Sequence, residues 1–397
     1  MKRSILSVIA SAAACGSVFA ADVRIADNIA TDTVWTNDNT YFLDDQIYVI
    51  DGASLTIEPG TVIKGASLQG GASALIVSRG SKIFALGTPS APIIFTAESD
   101  PLDGSLDDSN TSLWGGVIIL GAAPLNSESR GTEGDFTADP QVPFTDNIEG
   151  LENSPDNDWT EFGGLDPHDD SGIFRYVQIR FGGSVVGANN EINGLTMGGV
   201  GDSTIIEFVE VFSNKDDSFE WFGGTVNARY LVSAFGNDDS FDYDQGWTGK
   251  GQFWFSIGKD GAIDDQDHAG EHDGTVDFGQ DGLYRGMGTI YNATYIGPGG
   301  DSGIDEGVFE ISDDAGARYY NSIFMSWGGH GVDVLDDAMD GLTELEDGVT
   351  RIDFRSNIWW DLGAAGNVLA GGNNAAAVTA FLTAAGKGNT LEDPELY

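Results

Sequence analysis

The chain has 397 residues, 41% of them hydrophobic and 20% charged, which is apolar enough for a large core and excludes wholesale disorder. It carries 63 Asp and Glu against 18 Lys and Arg, a formal net charge of −45. That balance excludes nucleic acid and anionic membrane surfaces as partners and favours cations, its plain alternative use being a solvated, aggregation-resistant surface.

The N-terminus reads as an export signal. Met1-Lys2-Arg3 is a basic start, "SILSVIASAAA" an apolar stretch, and Val18-Phe19-Ala20 a small-residue cleavage site, so residues 1–20 are expected to be removed. Cleavage would also remove Cys15, the single cysteine, and with it any disulfide or thiolate metal site. A lipid on Cys15 fits less well, because Ala12 stands where a large aliphatic residue is usual. No later apolar run is long enough to span a membrane. The expected location is outside the cell or on a bacterial cell surface.

Beyond the signal, residues 21–50 read as an N-terminal cap. From residue 51 the chain is a succession of short strand-like runs, such as "SLTIEPGTVIKG", "ALIVSRGSKIFALG", "WGGVIILGAAPLN", "FRYVQIRFGG", "STIIEFVEVFSN" and "RIDFRSNIWWDLG". They are rich in β-branched and aromatic residues and bounded by Gly or by Asn-Asp clusters. Residues 125–172 lack this pattern and read as a long acidic loop leaving the body of the fold. Helical periodicity is confined to "NNAAAVTAFLTAAGKG", placing a capping helix within 366–397. The expected fold is therefore all-β.

Sandwich, propeller and parallel β-helix all fit the strand list. An internal echo separates them. "NKDDSFEWFGG" at 214–224 returns as "GNDDSFDYDQG" at 236–246, an offset of 22 residues. A propeller blade repeats at about 40–45 residues, whereas a solenoid coil can be near 20. The spacing predicts a right-handed parallel β-helix over 51–365, interrupted by the 125–172 insertion.

Coils stacked about 4.8 Å apart would set Phe241 and Tyr243 over Phe219 and Trp221, and Asp242 over Glu220. One face of the strand then supplies an aromatic core and the other an acidic ladder. Asp216, Asp217, Glu220, Asp238, Asp239, Asp242 and Asp244 become candidate ligands of a hard, oxygen-loving cation, which outside the cell is Ca²⁺. Two other uses stay open for these residues: turn chemistry, with Lys215, Arg229 and Lys250 neutralising part of the charge, and a catalytic acid pair.

Residues 191–255, "EINGLTMGGVGDSTIIEFVEVFSNKDDSFEWFGGTVNARYLVSAFGNDDSFDYDQGWTGKGQFWF", resemble a widespread group of secreted bacterial right-handed parallel β-helix proteins. "LTIEPGTVIKG" and "WGGVIILGAAPLN" resemble the N-terminal part of that group. The resemblance implies an exported β-helix and carries no activity with it.

Catalytic readings compete on particular residues. Polygalacturonase-like hydrolases use carboxylates on successive rungs followed by Gly-His-Gly. Here Asp217 and Asp239 offer the carboxylates, but His330 of the Gly-His-Gly at 329–331 lies 91 residues after Asp239 and reads as a turn or packing residue. "HAGEH" at 268–272 fits a zinc-hydrolase spacing, yet its surroundings are acidic and contain Gly, so it reads as an acidic surface loop in which His268, Glu271, His272 and Asp273 remain available to a cation or sugar. A lyase would need a base such as Lys250 or Arg229. Aromatics in "NIWWDLG" and "DQGWTGKGQFWF" offer stacking surfaces for a polysaccharide, although most aromatics in such runs pack in the core. The first expectation is a calcium-stabilised surface or matrix binding protein, with polysaccharide or other surface proteins as partners. The second is a polysaccharide lyase or glycoside hydrolase using the acidic cleft at 214–250.

Overall fold

A computed structural model describes residues 21–68, 71–126, 145–148, 151, 157–187, 190–259, 266–274, 285–299, 305–343 and 350–396. The expected export signal at 1–20 lies outside the described residues, as does part of the expected insertion.

Each coil contributes a strand to three parallel ladders in turn. The first ladder includes Ser54–Ile57, Lys82–Leu86, Lys250–Gln252 and Met287–Tyr291, and the second includes Val62–Gly65, Ile93–Ala97, Phe255–Ile257 and Thr294–Ile296. Three long strands, Gly172–Arg180, Ile205–Phe212 and Ala228–Ala234, run through both ladders and join them into one sheet. The third ladder is a separate nine-stranded sheet running from Gln46–Val49 through Phe219–Phe222 and Phe241–Asp244 to Val332–Val334. This is an all-β parallel β-helix. Parallel pairing begins at Ala21, which stands beside Asn39, so it extends into the 21–50 stretch expected as a cap. At the other end the helix Ala375–Leu382 buries Val378 and Leu382 against the last coil. Among the described residues no helix is long and apolar enough to cross a membrane.

The 22-residue echo is a register. Ile206 stands beside Ala228, and Phe219 beside Phe241, each pair 22 positions apart. Inside the third ladder the aromatic columns stack. The Phe219 and Phe241 rings lie 5.4 Å apart at 11°, and Trp221 stacks on Trp254 at 5.2 Å. All four side chains are fully or almost fully buried. Alternation then sends Glu220 and Asp242 outward from the same strands.

The outer side of the third ladder changes character along the solenoid. Its upper coils present Tyr48, Ile76 and Ile118 in one register, followed by Thr196. This apolar stretch is covered. Ile148, Leu151 and Phe162, from the segment expected to leave the solenoid, pack onto Ile76, Ile118 and Leu120 in a second hydrophobic cluster. The described parts of 125–172 thus fold back onto the sheet, because an exposed Ile-Leu face costs more than the loop loses on ordering. Gly198 makes room for the cover: a Cβ there would sit 2.7 Å from the Phe162 ring.

The corner between the first two ladders is built from left-handed residues. Tyr176, Phe208, Tyr230 and Phe253 have φ of 50°, 57°, 58° and 60°, and Asn292 and Asn321 continue the column at 59° and 55°. Asn tolerates this conformation, while an aromatic residue gives up about 1–2 kcal/mol. The rings recover it by stacking: Tyr176 on Phe208 and Phe208 on Tyr230 at 4.3 Å each, and Tyr230 on Phe253 at 5.0 Å. Each contact contributes about 0.5–1.5 kcal/mol beyond area burial. Phe208 sits between two rings, so Phe208→Ala loses both stacks and keeps the strain, whereas Phe208→Gly loses the stacks but relieves the strain. Chemical denaturation should find the Ala variant less stable than the Gly variant by about 1 kcal/mol, the reverse of the usual order in a strand. Equal stabilities, or a less stable Gly variant, would show that the corner is unstrained.

Candidate functional site

Where the insertion ends, the outer column of the third ladder becomes acidic. Thr196 is followed by Glu220, Asp242, Glu271, Glu310 and Asp333 on successive coils. The column therefore holds five carboxylates, of which the internal echo revealed two. The upper part opens into a trough of about 320 Å³ lined by Asp216, Asp217, Glu220, Asp238, Asp239, Asp242, Asp244, Glu271 and Asp273, together with Asn193, Thr196, Ile148, Ile192 and Phe222. All seven acids expected from the sequence meet here. Ile148 belongs to the folded-back segment, whose Asp146 also accepts a hydrogen bond from Gln245 at 3.3 Å.

Turn chemistry and charge concentration use the same residues. Asn214 donates from Nδ2 to the carbonyls of Asp216 and Asp217 and fixes the turn. The Asp217 carboxylate accepts the backbone N–H of Asp239 at 3.0 Å, and the Asp239 carboxylate accepts that of His268 at 2.6 Å. Each Asp thus ties its own coil to the next. Glu220 accepts a hydrogen bond from Asn193. Asp242 is 8% exposed, and its Oδ1 is buried without a hydrogen-bond partner.

No Lys, Arg or His lies among the described residues lining the trough. Arg229 and Lys250, expected to neutralise the ladder or to supply a base, stand on the first ladder. They line a different groove of about 510 Å³ with Arg175, Glu207 and Tyr291, and Arg229 is paired with Glu207. The structure does not bring Lys250 to Asp217 and Asp239. The reason is position in the coil: Arg229 lies in Ala228–Ala234 and Lys250 in Lys250–Gln252, both on the first ladder, while the third-ladder strand Phe241–Asp244 lies between them in sequence. Lys215 is the basic residue that acts on the trough, and it draws the Asp238 pKa down only weakly.

The carboxyl groups respond as crowded, desolvated acids do. Burial, with Asp239 next in effect, pushes Asp238 up to about 7. Burial raises Asp217, Glu220 and Asp242 well above the ordinary range, reinforced by their acidic neighbours. Glu271 is raised too, by burial and then by Asp239.

The His-rich stretch is not a surface loop. Gly270–His272 is a strand of the third ladder, and His272 is fully buried, stacked on Tyr243 with ring centroids 3.9 Å apart. Its two ring nitrogens face Tyr319 Oη and the Glu271 carbonyl, and burial pushes its pKa down to about 3. It is a core residue. His268 and His272 share no helix, so the zinc-hydrolase geometry is not formed. Glu271 and Asp273, outward on this strand, join the trough instead. His330 is half-buried in the turn before Val332–Val334 and packs against Gly307 and Gly371, as a packing residue would.

Two three-carboxylate groups in the trough bring their oxygens within 4.8 Å of one another: Asp216, Asp217 and Asp238, and Asp217, Glu220 and Asp242. Oxygen-only, flexible and multiply charged, these sets match what Ca²⁺ takes. Without a cation, protons must fill that role. A carboxyl whose folded pKa lies above its unfolded value, about 4, stabilises the fold fully below that value and loses its contribution as pH rises through the folded one. For Asp238 that window ends at about 7. The melting temperature in chelator should therefore fall between about pH 4 and about pH 7, and Asp238→Asn should flatten the fall. Identical profiles for the two proteins would show that Asp238 titrates normally.

A family model described as a pectate-lyase-like β-helix domain matches residues 27–394. The chain belongs to that family. No curated protein and no solved structure matches it.

Proposed function

We propose that this pectate-lyase-like β-helix protein is an exported, calcium-stabilised binding and structural protein of the cell surface or extracellular matrix, with the acidic trough as its cation site. The pectate-lyase-like family match supports a carbohydrate-related role. The reading within that class rests on one observation above all: nine carboxylates converge on a trough whose described lining holds no basic side chain. A dication answers that charge, keeps the acids ionised and ties three coils together.

The same arrangement argues against hydrolysis. An inverting pair needs one carboxyl protonated and one free to activate water. Asp217 and Asp239 instead hold the backbone of the following coil, and a shared cation would keep both ionised. The two residues expected as a lyase base, Lys250 and Arg229, line another groove. What the molecule offers a polysaccharide is a rigid surface, metal-bridged contact with carboxylate or hydroxyl groups, and an exposed aromatic edge at Phe253.

Calcium that binds only the folded state raises stability by mass action, about 2.7 kcal/mol at a hundredfold excess over Kd. Melts with millimolar Ca²⁺ and with chelator should differ by several degrees. Asp242→Asn and Glu220→Gln should weaken the calcium response about tenfold or more while raising the stability of the cation-free protein, because each removes the cost of burying a charge or of taking up a proton on folding. Coincident melts, or equal effects of calcium, magnesium and sodium, would refute a specific calcium site.

Catalysis is tested separately. Purified protein should release neither reducing ends nor unsaturated products from pectate, alginate or xylan. Turnover that disappears in Asp217→Asn or Asp239→Asn, with folding and calcium binding intact, would replace the binding role with an enzymatic one.

A further inference from the structure

Beyond the lower edge of the trough, Asp267, His268 and Glu306 bring ligand atoms within 4.8 Å of one another. His268 Nδ1 is 3.1 Å from Asp267 Oδ1, and Nε2 is 3.6 Å from Glu306 Oε2. The imidazole is 4% exposed, and its Nδ1 is buried with no hydrogen bond made. Asp267 Oδ1 is buried and unpartnered as well. Asp239 Oδ1 lies 3.5 Å from the same Nδ1. Three carboxylates therefore surround one ring whose Nδ1 makes no hydrogen bond. Buried polar atoms left this way are costly, and their convergence marks a missing partner.

We propose that Asp267, His268 and Glu306 form a second metal site beside the trough, taking a borderline divalent cation of the Zn²⁺ type. The imidazole sets its selectivity. Ca²⁺ prefers sets made only of oxygen, whereas zinc binds nitrogen and carboxylate oxygen together. The alternative occupant is a proton, with His268 standing as an imidazolium between the acids. A proton brings one positive charge to three carboxylates and a metal brings two. The trough and this site touch through Asp239, which faces His268 from one side and lines the trough on the other. The proposal does not rest on the calcium reading, since none of its three ligands lines the trough.

The test is zinc titration by calorimetry of the full chain already saturated with Ca²⁺. Wild type should bind one Zn²⁺ that calcium does not displace. Glu306→Gln, at a side chain that is 52% exposed, should weaken that binding about tenfold or more, and His268→Gln should abolish it. Both variants should keep the calcium-dependent melt of the wild type if that melt is seen. In nitrogen-15 spectra the His268 ring should change from doubly protonated to metal-bound as zinc is added. Zinc binding unchanged in Glu306→Gln would overturn the site. So would binding lost in His168→Gln, because His168 forms an exposed pair with Asp202 that can hold zinc adventitiously. A His268 ring that stays doubly protonated at saturating zinc would establish the imidazolium in its place.

Discussion

In-register parallel stacking sets each residue about 4.8 Å from its counterpart in the next coil, and every other property of this molecule follows from that repetition. An apolar column gains from being repeated, as the stacked rings inside the third ladder do. An acidic column loses: adjacent carboxylates at that spacing repel by about 1 kcal/mol in water and by several at an effective dielectric near 20. The outer column of the third ladder passes from Tyr48, Ile76 and Ile118 through Thr196 to five acids. Its upper part is covered by a folded-back segment and its lower part calls for positive charge. One geometric rule thus produces both the core and the site.

Much of this was legible in the sequence, and what was hidden has a physical reason. Glu220 over Asp242 and Phe219 over Phe241 followed from a constant offset of 22 residues, because the two coils carry no insertion between their strands. The next coil is longer: Tyr243 pairs with His272, 29 positions on, and Phe255 with Thr294, 39 positions on. Inserted residues erase the period, so Glu271 and Asp273 looked like part of an acidic loop although they continue the ladder. The left-handed corner was invisible for another reason. Tyr176, Phe208 and Tyr230 lie inside strongly strand-like runs, and propensity says nothing about a single residue whose cost is recovered by the ring above it. The second hydrophobic cluster needed tertiary context, since Ile148, Leu151 and Phe162 are scattered through an acidic stretch.

Charge is sorted by face. The trough on the third ladder holds nine acids, while Arg175, Arg229 and Lys250 line a groove on the first ladder around Glu207. The strands carrying the two sets alternate along the chain, so neighbours in sequence serve different surfaces. A description that assigns one function to residues 214–250 as a block therefore mixes two environments. Asp217 and Asp239 show a related economy: each fastens the following coil through its carboxylate while lining the trough, so the site cannot loosen without loosening the stack.

The unequal coil lengths also set the order in which the chain can assemble. Val117 pairs with Leu195 and Ile83 with Gly172, across the long insertion, whereas the coils from Leu195 to Ile257 join strands only 22 to 24 residues apart. Closing a long loop costs more entropy and slows the search for contacts. The N-terminal coils and the central coils can thus each form locally, and their joining across the insertion is a separate event. Until they join, the apolar edge formed by Val117–Leu120 lacks its partner Leu195–Gly198. A chain emerging N-terminus first from the ribosome would present that edge before its partner strand exists, a window in which it is open to wrong pairing.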